Sequence, residues 1–202
     1  MKVELLAYIS SRRLLAALPA SEIPESAFLG HLSFTFAVEG ISRACSHQLV
    51  RHRVASFSQQ SQRYIQVKRL SEKVVTPPTI AEKGSGEFSS FVEAASNVYS
   101  KLIDYGVPRE DARFVLPNAT ETSLLMTMDG RSLMHFFGLR LCNRAQWEMR
   151  GMAEGMLRQV RLAEPELFGA AGPYCVQLDK CPEGRFNCGK VIEMKARYGQ
   201  AE

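Results

Sequence analysis

His31-Leu32-Ser33-Phe34-Thr35-Phe36-Ala37-Val38, followed by Glu39-Gly40 and the run from Ile41 to His52, holds the switch that decides the fold class. Residues 31–38 alternate with period two and are rich in aromatic and β-branched side chains, as a half-buried strand requires. Glu39-Gly40 is expected to end it. From Ile41 the period becomes helical, because Ile41, Ala44, Cys45, Gln48, Leu49 and His52 fall on one face. Ser42 stands where an N-cap belongs, without the acidic residue three positions on that would complete a capping box. This helix is expected to reach about Ser56.

Working outward, residues 2–8 suit a short strand, and Thr120 to Met128 suit another. Pro77-Pro78 and Gly84-Ser85-Gly86 mark residues 70–87 as an irregular connection. A long amphipathic helix is expected from Glu87 to Tyr105, with Phe88, Phe91, Val92, Ala95, Val98, Leu102 and Ile103 facing inward and Gly106 stopping it. Pro108-Arg109-Glu110-Asp111 opens a short helix, since acids favour its positive end. Helical periodicity returns at Asp129. A break near Cys142-Asn143-Arg144 separates Leu133, Met134, Phe136, Phe137 and Leu141 from a second stripe of Met149, Met152, Ala153, Met156, Leu157 and Val160. The expected fold is mixed α/β (α+β): one domain over residues 1–202, with a small, mostly antiparallel sheet packed with several long helices.

Composition narrows the function. The 202 residues are 46% hydrophobic and 23% charged with a net charge of +4, as in an ordinary globular protein. That excess suits an anionic small molecule and is too small to imply a nucleic-acid partner. No apolar run approaches the roughly 20 residues of a membrane span, and Met1-Lys2-Val3-Glu4 does not resemble a signal peptide, so a cytoplasmic location is expected. Five cysteines argue against a complete disulfide framework. Cys45 and Cys142 lie in apolar helical patterns and are expected in the core. Cys175, Cys181 and Cys188 sit in a Gly/Pro-rich tail, residues 172–202. Their spacing is not the paired one of common zinc sites and no nearby His offers a fourth ligand, so no metal is expected.

The chemistry concentrates in Arg51-His52-Arg53-Val54-Ala55-Ser56-Phe57-Ser58-Gln59-Gln60-Ser61-Gln62-Arg63, which carries no acidic side chain. Guanidinium forks match pairs of phosphate oxygens, and nearby hydroxyls and amides complete an anion's shell. Farther on, Arg131 and His135 share a helical face. Arg140 has no acidic residue three or four positions away in either direction.

Arg-His-Arg-x-x-Ser-x-x-x-x-Ser-x-Arg resembles the signature of the flavin-dependent thymidylate synthases, and every fixed position is present. Asp129-Gly130-Arg131-Ser132-Leu133 through Arg140, then Arg144-Ala145-Gln146-Trp147-Glu148, resemble the family's later motif, so the resemblance covers roughly residues 25–160. It implies conversion of dUMP to dTMP with FAD bound non-covalently, and with NADPH and 5,10-methylenetetrahydrofolate as co-substrates. It also implies a homotetramer with active sites shared between subunits. By the same resemblance Arg140 is the catalytic residue, acting on the uracil ring. Gln48, Arg51, Gln59, Gln60, Ser61, Gln62, Arg63 and Arg113 would contact dUMP, with Ser61 and Arg63 at the phosphate. Ser26, Arg51, His52, Arg53, Gln59, Asp129, Arg131 and His135 would contact FAD. Gln59 stands where the family often has Glu, and Asp129 where it commonly has Asn. Two other readings use the same residues: a basic nucleic-acid-binding module, and a flavoprotein reductase of the same fold.

Overall fold

The computed structural model describes residues 1–17 and 25–199. Four strands, β1 (Lys2–Tyr8), β2 (Ser33–Ser42), β3 (Ser56–Gln59) and β4 (Glu121–Asp129), form an antiparallel sheet in the order β1-β2-β4-β3. The helices are α1 (Ser11–Ala17), α2 (Arg43–Leu49), α3 (Pro78–Lys83), α4 (Ser85–Asp104), α5 (Arg109–Ala112), α6 (Gly130–Arg140), α7 (Trp147–Ala163), α8 (Pro165–Phe168), α9 (Tyr174–Gln177) and α10 (Val191–Tyr198). The α+β expectation therefore holds. The chain gathers into two compact units that interleave along the sequence. The first is Met1–Val38, Leu49–Phe57 and Leu125–Glu202; the second is Glu39–Gln48 and Ser58–Leu124.

In the first unit the period-two alternation of β2 buries Phe34, Phe36 and Val38, and that of β4 buries Met126 and Met128. On the opposite face the hydroxyls of Thr35 and Thr127 are hydrogen-bonded at 2.9 Å. The methionine stripe of α7 is core as expected, with Met149, Met152, Met156 and Val160 fully buried. The expected break between α6 and α7 is present, and each helix has its own cap. Asp129 Oδ1 accepts from the Ser132 N–H at 2.9 Å, and Gln146 Oε1 accepts from the Met149 N–H at 2.9 Å. Glu164, itself buried, accepts from both the N–H and the hydroxyl of Ser11 at the start of α1, at 3.0 and 2.5 Å.

The second unit is built on α4. Val92, Ala95 and Tyr99 are its buried positions, and Val92 and Ala95 pack with Leu70 against Val67, Val74, Phe88 and Leu116. Phe91 and Val98, expected to face inward, are exposed instead, because the buried stripe runs one position farther round the helix. The connection over 70–87 contains α3 and a short 3-10 turn, Leu70–Glu72, rather than only irregular chain.

The opening switch also differs in detail. β2 does not end at Gly40; that glycine takes φ +67° and bends the strand, which continues to Ser42. Ser42 does cap the helix, its Oγ accepting from the Cys45 N–H at 3.0 Å. The helix itself stops at Leu49, not near Ser56. Three-residue turns replace the helical pattern there, with the N–H of His52 bonded to Leu49 O and that of Ala55 to His52 O. The second half of the signature then enters the sheet as β3. Ladder pairing outcompetes the helical period wherever an edge is available, and Gln60 N–H donates to Ser123 O at 2.9 Å just beyond β3.

Candidate active site

The signature divides its side chains by the turn it adopts. His52 is buried while Arg51 and Arg53 on either side are exposed. In the first unit the His52 ring packs edge-on to Phe136, with centroids 5.0 Å apart. Its Nε2 accepts a hydrogen bond from Arg140 Nε at 2.8 Å. An imidazole accepts at Nε2 only when neutral, so this bond assigns the proton to Nδ1. Burial first, then the charges of Arg140 and His135, hold His52 down to about 4. The contact joins the signature to the last residue of α6, 88 positions away, and orients the guanidinium expected to be catalytic.

The remaining expected flavin contacts of this unit are placed as follows. Arg51, Arg53 and Arg131 are exposed, and among the described residues no ion pair or hydrogen bond engages their guanidinium groups. Arg131 lies over Gly30, where a Cβ would be 3.8 Å from its Nη2. His135 is exposed, and its Nδ1 is hydrogen-bonded to the Tyr174 hydroxyl. Asp129 uses both carboxylate oxygens at the start of α6, with Oδ2 accepting from Ser132 Oγ at 2.6 Å. The expectation at Ser26 falls outside the described side chains.

In the second unit Gln59 points inward and donates to Ser46 Oγ at 2.9 Å and to Thr122 Oγ1 at 3.2 Å. Ser61 Oγ accepts from the Arg63 N–H at 3.2 Å, a local turn with no base beside it. Arg63 is engaged by Glu110, with Nη2 at 2.8 Å and Nε at 2.9 Å. Gln60, Ser61 and Gln62 line a cavity of about 320 Å³. Gln62 also lines a second cavity of about 410 Å³ with Arg43, His47, Arg113 and Asn118.

This second cavity holds two residues that sequence reasoning missed, Arg43 and His47, beside the expected Gln62 and Arg113. Burial, then the like charge of Arg113, push the Arg43 guanidinium down from its ordinary value. No carboxylate of the described residues lines the cavity. Two guanidinium groups facing one space without a counter-charge make an anion site. The signal was present: Arg43, His47 and Arg51 recur every four residues with no acid among them. Gln48 is half-buried, and Arg113 Nε donates to Glu110 O at 3.1 Å.

A turn that buries one histidine between two exposed arginines, and a helix that ends on the arginine this histidine holds, suit an anionic ligand. The family model described as "Thymidylate synthase complementing protein" matches residues 13–166. A flavin-dependent thymidylate synthase of Geobacter sulfurreducens is 54% identical over 172 residues, covering 84% of this chain and 74% of that protein. One of Clostridium tetani is 46% identical over 187 residues, covering 83% and 74%. A solved structure of the UMP/dUMP methylase PolB from Streptomyces cacaoi, bound with 5-Br UMP, superposes with a TM-score of 0.69 at 25% identity, covering 85% of this chain and 94% of that one. The chain belongs to the thymidylate synthase complementing protein family.

No helix among the described residues is long and apolar enough to cross a membrane.

Proposed function

We propose that the chain is a flavin-dependent thymidylate synthase that methylates dUMP to dTMP. The observation that carries this reading is the 2.8 Å bond from Arg140 to the buried, neutral His52 of the signature. It holds a permanent cation in a fixed orientation at the end of α6. Beside the pyrimidine, that cation favours the ionised ring, which makes the neighbouring ring carbon nucleophilic without a protein nucleophile. Electrostatic preorganisation of this kind needs no covalent chemistry from the protein.

Arg43 and Arg113, with Gln62, suit the phosphate of the nucleotide. Ser61 serves there as a hydrogen-bonding hydroxyl, in keeping with its lack of an adjacent base. For FAD, the exposed and unengaged guanidinium groups of Arg51, Arg53 and Arg131 fit an anionic, planar cofactor. When bound, FAD reduced by NADPH supplies the hydride, and 5,10-methylenetetrahydrofolate supplies the carbon. The chain works as one catalytic domain in a cytoplasmic homotetramer, whose active sites draw their residues from more than one subunit.

The test is Arg140→Ala. Tritium release from dUMP labelled at the reacting carbon should fall by about 10²–10³-fold, the usual cost of removing one preorganised electrostatic group. The flavin absorption of the purified variant should match that of the parent. A parent protein that binds no FAD sinks the reading. So does a variant that loses its flavin while turning over whatever it retains.

A further inference from the structure

Four of the five cysteines share one cavity in the first unit. Cys142, Cys175, Cys181 and Cys188 line a space of about 330 Å³, whereas Cys45 is buried in the second unit. The sequence spacing offers three thiols and no fourth ligand. The fold supplies the fourth, because the connection between α6 and α7 carries Cys142 to the tail. Cys142 is only half-buried there, so it is not the core residue its apolar pattern implied.

We infer that Cys142, Cys175, Cys181 and Cys188 form a tetrathiolate site for one zinc(II) ion. Zinc takes four sulfur ligands tetrahedrally at about 2.3 Å, and the set Cys₄ with no open position is that of a structural site. Among the described residues no group of three or more His, Cys, Asp or Glu side chains is preassembled to hold a metal. Binding would have to draw the four thiols together; the segment that carries Cys181 and Cys188 consists of turns and the short 3-10 turn Gly184–Phe186, with Asp179, Gly184 and Gly189 at φ of +59°, +50° and +73°. The two sides of the cavity are already tied, since Arg144 donates to the Phe186 carbonyl between Cys181 and Cys188.

Four thiolates gathered in one cavity repel one another, and a divalent ion bound among them removes that penalty. Closure forms four Zn–S bonds, releases four thiol protons to solvent and transfers no electron. Arg140 and Arg144 line the same cavity and offset the net −2 of the filled site. The ion would staple the tail to the end of α6.

Purified full-length protein, freed of loose metal by gel filtration in chelator-treated buffer, should contain one zinc per chain. Cys45→Ser should retain it, and Cys142→Ser and Cys181→Ser should each lose it. Zinc well below one per chain, or a full complement in either of the latter variants, overturns the inference. Disulfides among the four residues in freshly purified protein overturn it as well. A second measurement, independent of any substitution, uses the parent chain with cobalt(II) in place of zinc. Strong thiolate-to-cobalt charge-transfer and tetrahedral d–d absorption support the site, and spectra of aquated cobalt refute it.

Discussion

His52 lies between Phe136 and Arg140, and its role depends on remaining uncharged. Protonation would set a second cation 2.8 Å from a guanidinium that needs an acceptor. The sign of the pH effect follows. The unfolded imidazole takes its proton near 6.5 and the folded one only near 4, so between those values the unfolded chain binds the extra proton. Stability is therefore fully present above pH 6.5 and falls as pH drops toward 4. His52→Asn should show a shallower fall of Tm over that window than the parent, and identical slopes would remove His52 from the account. Tyr99 offers a second case. Its hydroxyl is buried and finds no hydrogen-bond partner among the described residues. Tyr99→Phe should raise stability by about 1 kcal/mol in urea titrations, since it deletes an unsatisfied polar group and little packing. The identity of the signature residues was legible in the sequence. The bond from His52 to Arg140 was not, because no local pattern relates positions 88 apart. Arg43 was not legible as part of a site because the guanidinium it faces, Arg113, lies 70 positions away.

At the level of elements, periodicity identified the long helices well. α4 lies within two residues of expectation, α7 carries the expected methionine stripe, and the Asp129 and Gln146 caps explain why α6 and α7 are separate. What periodicity could not show was competition. A helical face continues from Ile41 to His52, yet β2 runs to Ser42 and the helix stops at Leu49 because the sheet claims both flanks. Likewise the apolar positions of α4 span more of its circumference than the core covers, so Phe91 and Val98 are left outside. Close approach between elements yields a further prediction. At Gly138, in α6, a Cβ would stand 2.6 Å from the Tyr174 ring of α9. That ring is also held by His135. Gly138→Ala should therefore destabilise the protein by about 1–3 kcal/mol through overpacking, read as a lower urea midpoint at unchanged slope. A neutral result would show that α9 yields freely.

For the molecule as a whole, the modest charge excess hid its distribution. The net +4 says little, whereas Arg43 and Arg113 on one cavity say a great deal. Each unit holds part of the candidate machinery: His52, Arg131 and Arg140 in the first, Arg43, Gln62 and Arg113 in the second. The second unit is also incomplete as a contiguous segment. In the intact chain the N–H groups of Arg43 and Ala44 donate to Thr120 O and Asn118 O at 2.9 and 3.0 Å. A fragment of residues 58–124 lacks these donors, so its far-ultraviolet dichroism should be that of a largely unfolded peptide; a cooperative thermal transition would contradict this. The backbone passes between the units at 38/39, 48/49, 57/58 and 124/125. No single scission can release either one, and no gene truncated at one end encodes either one by itself. Neither unit is therefore a contiguous module that could be cut out and grafted by itself.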